Sequence, residues 1–231
     1  YDDAYRKALE LKEEHGYTFV HPFDDENVIA GQGTIGLEIL NEMDDLDAVI
    51  VPIGGGGLIA GIAFAIKSLR PNVKVYGVQA AGAPSMFRSI KDGQIGTLDS
   101  VSTIADGIAV KAPGDLTVDL INRFADGVVT VSDSEIANAI LLLMERCKQI
   151  VEPAGATPLA AVLSGKIDVA GKRVVCVMSG GNIDVSFIQS IIERGLVARH
   201  RRMKFKVKLL DKPGSLVQLL NVIADAGANV L

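Results

Sequence analysis

Short β-branched segments alternate along the chain with longer segments in which apolar residues recur every three or four positions. The first pattern predicts buried strands and the second predicts amphipathic helices. Strands are predicted at 17–20, 48–53, 73–78, 127–131 and 173–178, and helices at 2–14, 28–43, 58–69, 84–91, 115–124, 132–147, 157–163 and 184–197. Strands that alternate with helices need right-handed crossovers. The expected fold class is therefore α/β, an open and mostly parallel twisted sheet with flanking helices.

The pattern changes near residue 199. Residues 199–202 form a basic connector, after which lysines at 204, 206 and 208 alternate with apolar residues, as in a half-buried antiparallel strand. A turn at 211–214, a helix whose apolar face begins at 216 and runs up to Gly227, and the start of a strand at 229–231 follow. One strand and one helix cannot bury their apolar faces alone. We predict a first domain at 1–198, the connector at 199–202, and a second domain at 203–231 that is truncated or completed by another chain.

Four consecutive glycines, Gly54 to Gly57, separate the predicted strand 48–53 from the predicted helix 58–69. A strand, a side-chain-free turn and a helix N-terminus together expose main-chain N–H groups and the positive end of a helix dipole, which favours an anion. Glycine is expected there because a Cβ would obstruct close approach to the anion or forbid a positive φ. The sequence therefore predicts a phosphate site in this glycine loop.

The phosphate could belong to a dinucleotide, since Gly55, Gly57 and Ala60 match the spacing of the dinucleotide fingerprint. That mechanism also needs an acidic residue at the end of the next strand to hold the ribose, and Gln79 occupies this place. A Walker loop would need Gly-Lys-Ser/Thr, which is absent from the sequence. Pyridoxal phosphate is the remaining interpretation.

Composition narrows the class of protein further. The chain has 231 residues, 48% of them hydrophobic, and a formal net charge of −5. An acidic chain without a basic stripe argues against nucleic acid as a partner, and no apolar run is long enough for a membrane span. The cysteines, Cys147 and Cys176, are interpreted as buried thiols of a reducing compartment. A cytoplasmic location is expected.

Six short motifs occur in the order in which they are found in threonine ammonia-lyases (threonine dehydratases), and the chain resembles that family over roughly 1–197. The motifs are VHPFD at 20–24, AGQGT at 30–34, VPIGGGGL at 51–58, IADG at 104–107, EPAG at 152–155 and SGGN at 179–182. The resemblance implies a fold-type-II pyridoxal phosphate enzyme with a tryptophan synthase β-like fold. The segment 211–214 resembles the opening of an ACT domain, a small ligand-sensing module.

The resemblance implies an activity and its alternatives. The activity is deamination of L-threonine, and of L-serine, to 2-oxobutanoate or pyruvate plus ammonia by α,β-elimination. A serine racemase or serine dehydratase on the same scaffold is the first alternative, and a non-catalytic piece that binds only cofactor or effector is the second. The expected partners are an amino-acid substrate, an allosteric small molecule sensed by the ACT-like segment, and further copies of the chain in a homo-oligomer.

Site residues follow from the same resemblance. It implies that the phosphate is bound at the glycine loop, that the Gly107 backbone passes beside the cofactor ring, and that Ser179 meets the pyridine nitrogen. In some relatives the counterpart of Asn182 contacts a nucleotide effector. The implied cofactor-binding residues are Gly54, Gly55, Gly56, Gly57, Leu58, Gly107 and Ser179.

Two expected features of the family are absent from these residues. The Schiff-base lysine and the substrate-carboxylate loop have no match, so no catalytic residue is assigned here. The lysine is expected before Tyr1, and the chain is expected to be a fragment. The segment 79–85 contains no carboxylate, whereas metal-dependent serine racemases carry an acidic pair there, so no metal site is expected.

Plainer roles are open for several of these side chains. Ser179 could cap the helix that follows it, Asn182 could serve only the turn, and Asp106 could be a turn residue. Glu152 could lie at the pyridine end of the cofactor or be a carboxylate at a helix entry. His21 is interpreted as a hydrogen-bonding loop residue rather than a base. A Gly55→Asp change is expected to abolish cofactor retention through charge and bulk.

Overall fold

The computed structural model describes residues 2–230, apart from the side chain of Asp2. It divides into two compact units, the first ending at Arg201 and the second starting at Arg202. This division lies inside the connector predicted at 199–202.

The first unit is built on a parallel sheet. Its strands, among the described residues, are β1 (Ala48–Pro52), β2 (Lys74–Ala80), β3 (Gly127–Val131) and β4 (Val174–Cys176). They pair in the order β3-β2-β1-β4, with Ala48 of β1 opposite Lys74 on one side and Val174 on the other. The predicted parallel α/β sheet is confirmed. The strand predicted at 17–20 is wrong, because these residues pair with no strand in the described part of the chain.

Helices cover the sheet on both faces. They are α1 (Asp2–His15), α2 (Glu26–Glu42), α3 (Gly57–Leu69), α4 (Ser85–Asp92), α5 (Asp115–Phe124), α6 (Asp133–Leu142), α7 (Thr157–Leu163) and α8 (Val185–Ala198). All but one of the predicted bounds agree with these within two residues. The exception is α6, which gives way after Leu142 to a π-helical turn, Leu143–Cys147. No helix in the range 2–230 is long and apolar enough to cross a membrane.

Local sequence explains how α6 begins. The Ser132 hydroxyl accepts a hydrogen bond from the Glu135 N–H at 3.3 Å, and the Ser132 N–H donates to the Glu135 carboxylate at 2.6 Å. This reciprocal capping box satisfies two N–H groups that otherwise lack partners at a helix start. Burial alone would raise the pKa of Glu135, but these hydrogen bonds and nearby Lys166 outweigh it and lower that pKa. The predicted capping box is confirmed.

The core lies on the two faces of the sheet and is centred on β1, all five of whose residues are buried. Ile50 points into the layer formed with α6 and α7, and Val49 and Val51 point into the layer formed with α2 and α3. The near-continuous β-branched run in β1 follows from this burial on both faces. Of the two cysteines, Cys147 is exposed, so the prediction that both thiols are buried is wrong. Burial raises the pKa of the Cys176 thiol to about 11.

Gly33 of the AGQGT motif serves helix packing. A Cβ on Gly61 of α3 would overlap the Ile29 carbonyl oxygen and lie 2.6 Å from the Gly33 main-chain nitrogen of α2. A Cβ on Gly33 would lie 3.1 Å from the Gly61 oxygen, and one on Gly36 would lie 3.1 Å from the Ile62 oxygen. The two backbones therefore approach each other closely where side chains are missing, and α2 lies directly on α3.

The second unit contains one helix, α9 (Ser215–Asp225), among its described residues. Gly214 precedes it with a φ of +88°, in the turn predicted at 211–214. The alternating segment 204–209 forms no strand, so that prediction is wrong: its alternating face has no neighbouring strand to pair with in the described range. Residues 229 and 230 also lie outside any strand, and residue 231 lies outside the described residues. No residue of α9 is buried, and an ACT-like fold is not established.

An ion-paired aspartate joins α3 to the sheet. Lys67 of α3 contacts the Asp126 carboxylate at 2.7 Å, Lys74 contacts it at 2.9 Å, and the Val75 N–H donates to it at 2.8 Å. Burial alone would raise the pKa of Asp126, but the hydrogen bonds from both lysines and from Val75 hold it below its ordinary value of 3.8.

We expect Asp126→Asn to lower the free energy of unfolding by about 1–3 kcal/mol at neutral pH, because Lys67 loses its charged partner. Since folding lowers this pKa, the carboxylate stabilises the fold above pH 3.8, and the contribution disappears as the pH falls through the folded value. Urea unfolding of both proteins between pH 3 and 7 measures the effect. A difference that stays constant down to the lowest pH would contradict this assignment.

Candidate functional site

The glycine loop joins the carboxyl end of β1 to the first turn of α3. The Ile53 N–H still donates to the Val78 oxygen of β2 at 2.8 Å, so the sheet extends to the edge of the loop. Gly56 is the N-cap of α3 and has a φ of +104°, a left-handed conformation that favours glycine. Gly55 to Gly57 are buried, and Gly54 and Leu58 are half-buried. The strand, loop and helix predicted around the glycines are confirmed.

The glycines themselves are required by packing within the protein. A Cβ on Gly55 would overlap the Phe23 ring, one on Gly57 would lie 2.9 Å from the Phe23 oxygen, and one on Gly56 would lie 2.8 Å from Thr117 Cβ. Glycine was expected here to allow close approach to an anion or a positive φ; the positive φ occurs at Gly56, and the structure adds packing against Phe23 and Thr117 as a reason. Gly55→Asp would displace Phe23, so cofactor loss in that variant would not isolate a phosphate contact.

The first turn of α3 carries donors without acceptors inside the helix. No side chain caps this turn. The Ala60 N–H donates to the Gly56 oxygen at 2.9 Å, and the N–H groups of Gly57, Leu58 and Ile59 precede this bond. Buried N–H groups normally have a partner, and an anion at a helix N-terminus both accepts their hydrogen bonds and is attracted by the helix dipole. The residues present therefore fit the phosphate of pyridoxal phosphate.

The SGGN turn lies on the neighbouring strand at the same edge of the sheet. From β1 the chain passes to β2 and β3 on one side, and β4 is added on the other side. The Val177 N–H donates to the Ile50 oxygen at 2.9 Å, and the glycine loop and the SGGN turn follow these two strands. Ligands of open parallel sheets bind in the crevice where the strand order reverses. The glycine loop and the SGGN turn both lie at this edge of the sheet, after the two strands where the order reverses.

Glu152 connects the EPAG, SGGN and IADG motifs. Its carboxylate accepts a hydrogen bond from the Asn182 N–H at 2.9 Å, and its own N–H donates to the Gly180 oxygen at 3.3 Å. A Cβ on Gly107 would lie 3.0 Å from Glu152 Oε1. Helix α7 has Ala156 as its N-cap and no side-chain cap, so the interpretation of Glu152 as a helix-entry carboxylate is wrong. Its role is to hold the turn that follows β4.

Ser179 lies in this turn and does not cap the following helix. The N-cap of α8 is Asp184, whose side chain accepts from the Ser186 N–H at 2.8 Å. The Ser179 main-chain oxygen occupies the space where Gly155 lacks a Cβ. Ser179 is half-buried, whereas Asn182 is exposed. The capping alternative for Ser179 is therefore wrong.

Gly107 belongs to a 3₁₀ turn, Asp106–Ile108, that packs against the glycine loop. A Cβ on Gly54 would lie 3.2 Å from Ile108 Cα. Asp106 accepts a hydrogen bond from the Gly107 N–H at 3.0 Å, which agrees with its interpretation as a turn residue. The structure thus brings the glycine loop, the 3₁₀ turn, Glu152 and the SGGN turn into one connected edge.

His21 has a structural hydrogen bond. Its Nδ1 accepts from the Asp24 N–H at 2.8 Å, which agrees with its interpretation as a hydrogen-bonding loop residue. The His21 ring also packs edge-on against Phe23, with ring centroids 4.6 Å apart. A cavity of about 470 Å³ lies beside this loop, bounded by Tyr5 of α1 and by the segment before α5.

The segment 79–85, where metal-dependent serine racemases carry an acidic pair, has no charged side chain. Gln79 is buried, and its Oε1 accepts from the Phe87 N–H at 2.8 Å. Its Nε2 and the Ser85 hydroxyl have no hydrogen-bond partner among the described residues. No group of three or more His, Cys, Asp or Glu side chains that could hold a metal ion occurs within 2–230.

Two contributors to the site were not found from the sequence. Thr117 of α5 donates its hydroxyl to the Gly55 oxygen at 2.7 Å, and Asp24 accepts from the Thr117 N–H at 3.0 Å. Thr117 is separated from the glycine loop by 62 positions, so no local spacing could reveal this contact. Asp24 stood in a recognised motif, but nothing in the sequence linked it to the start of α5.

Comparison with known proteins agrees with this geometry. The family described as "Pyridoxal-phosphate dependent enzyme" matches residues 1–180. The L-threonine ammonia-lyase of Thermotoga maritima is 52% identical over 231 residues, which are 100% of this chain and 57% of that protein. The chain therefore spans little more than half the length of this relative.

Solved structures are similar over much of the chain. The processed form of threonine deaminase isoform 2 from Solanum lycopersicum superposes with a TM-score of 0.79 at 39% identity, covering 83% of this chain and 53% of that one. Serine racemase from Dictyostelium discoideum superposes with a TM-score of 0.71 at 41% identity, covering 78% of this chain and 58% of that one. By its sheet, its glycine loop and the family match over residues 1–180, the chain belongs to the pyridoxal-phosphate dependent enzymes.

Proposed function

We propose that the complete polypeptide carrying this chain is a threonine ammonia-lyase. The observation that carries the proposal is the similarity to a Thermotoga maritima L-threonine ammonia-lyase, which extends over all of this chain at 52% identity. The geometry of the glycine loop supports it, because an uncapped helix start at the carboxyl edge of the sheet suits a cofactor phosphate. L-Threonine would lose ammonia and yield 2-oxobutanoate, and L-serine would yield pyruvate.

We propose that Gly54, Gly55, Gly56, Gly57 and Leu58 bind the cofactor phosphate. Buried main-chain donors and the dipole of α3 support this role. The cofactor, when bound, supplies an electron sink that stabilises negative charge at the substrate α-carbon. The protein positions the glycine loop that would bind the cofactor: β1 and α3 hold the two ends of the loop, and the 3₁₀ turn packs against Gly54.

We propose that Ser179 meets the pyridine nitrogen and that the Gly107 backbone lies beside the ring. Support comes from Glu152, whose carboxylate holds the SGGN turn and lies next to Gly107. Ser179 has a neutral hydroxyl and cannot supply the anion that would keep the nitrogen protonated. A weaker electron sink favours prompt loss of the β-hydroxyl over a long-lived carbanion. We propose no metal ligand and no catalytic residue in this chain.

The regulatory features are proposals as well. We propose that Asn182 contacts a nucleotide effector, which its exposure permits. We further propose that the second unit senses a small molecule as part of an ACT-like domain and that the protein forms a homo-oligomer. The two free cysteines agree with a cytoplasmic location.

The experiment is an assay of the complete polypeptide with pyridoxal phosphate. We expect L-threonine to give 2-oxobutanoate and ammonia in equal amounts, faster than L-serine gives pyruvate. Both products are measured, the oxo acid by reduction with a coupled dehydrogenase and ammonia by a colorimetric assay. Absence of oxo acid from a protein that holds its cofactor would contradict the proposal.

Serine racemase is the second candidate, favoured by the 41% identity to the Dictyostelium discoideum structure. The neutral segment around Gln79 argues against the metal-dependent form of that activity. Chiral chromatography of serine after incubation, with and without Mg²⁺, separates the two candidates. D-Serine formed faster than pyruvate would replace the lyase assignment by a racemase.

A further inference from the structure

In a loop of four glycines, the residues themselves do not fix the orientations of the peptide groups. Glycine has no Cβ and populates positive and negative φ about equally, so a peptide group between two glycines can rotate at little cost. A cradle for phosphate needs its N–H groups aimed in one direction before the ligand arrives, because ordering them on binding reduces affinity. Some other group must therefore hold the Gly55–Gly56 peptide, and the structure contains one.

That group is the hydroxyl of Thr117. Its side chain is fully buried, and Oγ1 donates to the Gly55 oxygen at 2.7 Å. The Gly114 oxygen lies 3.0 Å from the same hydroxyl, but it already accepts from the Val118 N–H at 3.1 Å. A hydroxyl has a single proton to donate, so we assign it to the shorter contact with Gly55.

Because the peptide group is planar, the contact that fixes the Gly55 C=O also fixes the direction of the Gly56 N–H. In a planar trans peptide the C=O and the N–H point in opposite directions. Because Thr117 draws the Gly55 oxygen toward α5, the Gly56 N–H points away from α5. We propose that Thr117 is a positioning residue that aims the Gly56 N–H at the cofactor phosphate. This inference rests on the proposed phosphate site.

Thr117 is itself held in place from a distant loop. Its N–H donates to Asp24 Oδ1 at 3.0 Å, so Asp24 caps α5 from outside the helix. Gly114, the N-cap residue of α5, has no Cβ, and a Cβ there would overlap the Asp24 carboxylate. The Gly114 N–H also donates to the Thr117 hydroxyl at 3.2 Å, so this hydroxyl is bound to the start of α5 as an acceptor. The loop that contains Asp24 therefore holds the start of α5, and Thr117 of α5 holds the Gly55–Gly56 peptide group.

The test compares Thr117→Val with Thr117→Ser in the complete polypeptide. Valine keeps the shape of threonine and removes the hydroxyl, whereas serine keeps the hydroxyl. We expect Thr117→Val to raise the dissociation constant for pyridoxal phosphate by about tenfold or more, because one hydrogen bond to a charged group is misaligned. Thr117→Ser should bind close to wild type. The ³¹P resonance of the bound cofactor, recorded at saturation, should move in the valine variant only.

Thr34→Val is the matched control. The Thr34 hydroxyl also donates to a glycine oxygen, that of Gly31, at 2.7 Å, but it lies on the exposed side of α2. Wild-type affinity and an unmoved ³¹P resonance in Thr117→Val would overturn the inference, as would equal losses in Thr117→Val and Thr34→Val.

A second variant separates this inference from the phosphate site itself. Leu58→Pro removes an N–H of the loop without touching Thr117. If Leu58→Pro binds like Leu58→Ala, the phosphate site is wrong and this inference falls with it. If Leu58→Pro is impaired and Thr117→Val is not, only the role of Thr117 is overturned.

Discussion

Leu58→Pro should weaken binding of pyridoxal phosphate by about 10- to 100-fold relative to Leu58→Ala, because it removes one N–H that we propose donates to the phosphate. Leu58 occupies the second position of α3, ahead of the first intrahelical hydrogen bond at Ala60. Proline is tolerated in the first turn of a helix, where its missing N–H has no helical acceptor. The preceding residue is Gly57, which has no Cβ to clash with the proline ring.

The alanine variant separates the donor from the side chain. Leu58 is half-buried and packs against the α2–α3 layer, so both substitutions lose this packing, and only proline also loses the N–H. Titration of the metal-free, cofactor-free polypeptide with pyridoxal phosphate, followed by absorbance, gives both dissociation constants. Thermal unfolding without cofactor checks that the two variants fold alike. Equal dissociation constants for the two variants would contradict the assignment of the phosphate to this loop.

Gly61→Ala should lower the free energy of unfolding by about 3 kcal/mol, since the added methyl group meets main-chain atoms that cannot rotate away. A Cβ at this position would overlap the Ile29 oxygen and lie 2.6 Å from the Gly33 nitrogen. Relief requires α2 as a whole to move off α3. Moving α2 would loosen its packing against α3 along the whole helix. The melting temperature should therefore fall by several degrees.

Gly31→Ala is the matched control on the facing helix. Gly31 lies inside α2 on its exposed side, and a Cβ there would meet no atom within 4 Å. Alanine is a better helix former than glycine, so this variant should gain about 0.5–1 kcal/mol in free energy of unfolding. Chemical unfolding of wild type and both variants measures the pair. Equal stability of the two variants would contradict the close α2–α3 approach.

Hydrophobic periodicity was sufficient for most of the first unit. The helix at Asp115–Phe124 and the strand at Gly127–Val131 have their predicted bounds, because capping residues and β-branched runs act over a few neighbouring positions. The segments 17–20 and 204–209 show where periodicity is not sufficient. Both carry strand-like sequence and form no strand, because a strand also needs a partner strand and periodicity does not supply one.

The motifs could be found in the sequence, but the physical roles of several of them could be seen only in the folded structure. The four glycines predicted a turn before a helix, but the reason they lack side chains, contact with Phe23 and Thr117, required the folded structure. The AGQGT motif was carried over from family resemblance, and its Gly33 lies at the crossing of α2 and α3. Glu152 had two open interpretations, and its hydrogen bond to Asn182 decided against the helix-entry one.

The sequence by itself determined the alternation of strands and helices, the parallel sheet, and the glycine loop after β1, because each depends on residues close together in the chain. Only the tertiary structure decided that Thr117 reaches that loop, that Asp24 holds Thr117 in place, and that the 3₁₀ turn and Glu152 connect the loop to the SGGN turn. Those contacts join residues tens of positions apart, such as Thr117 and Gly55, which are separated by 62. The energy of such contacts depends on distance in space, which a local pattern does not contain.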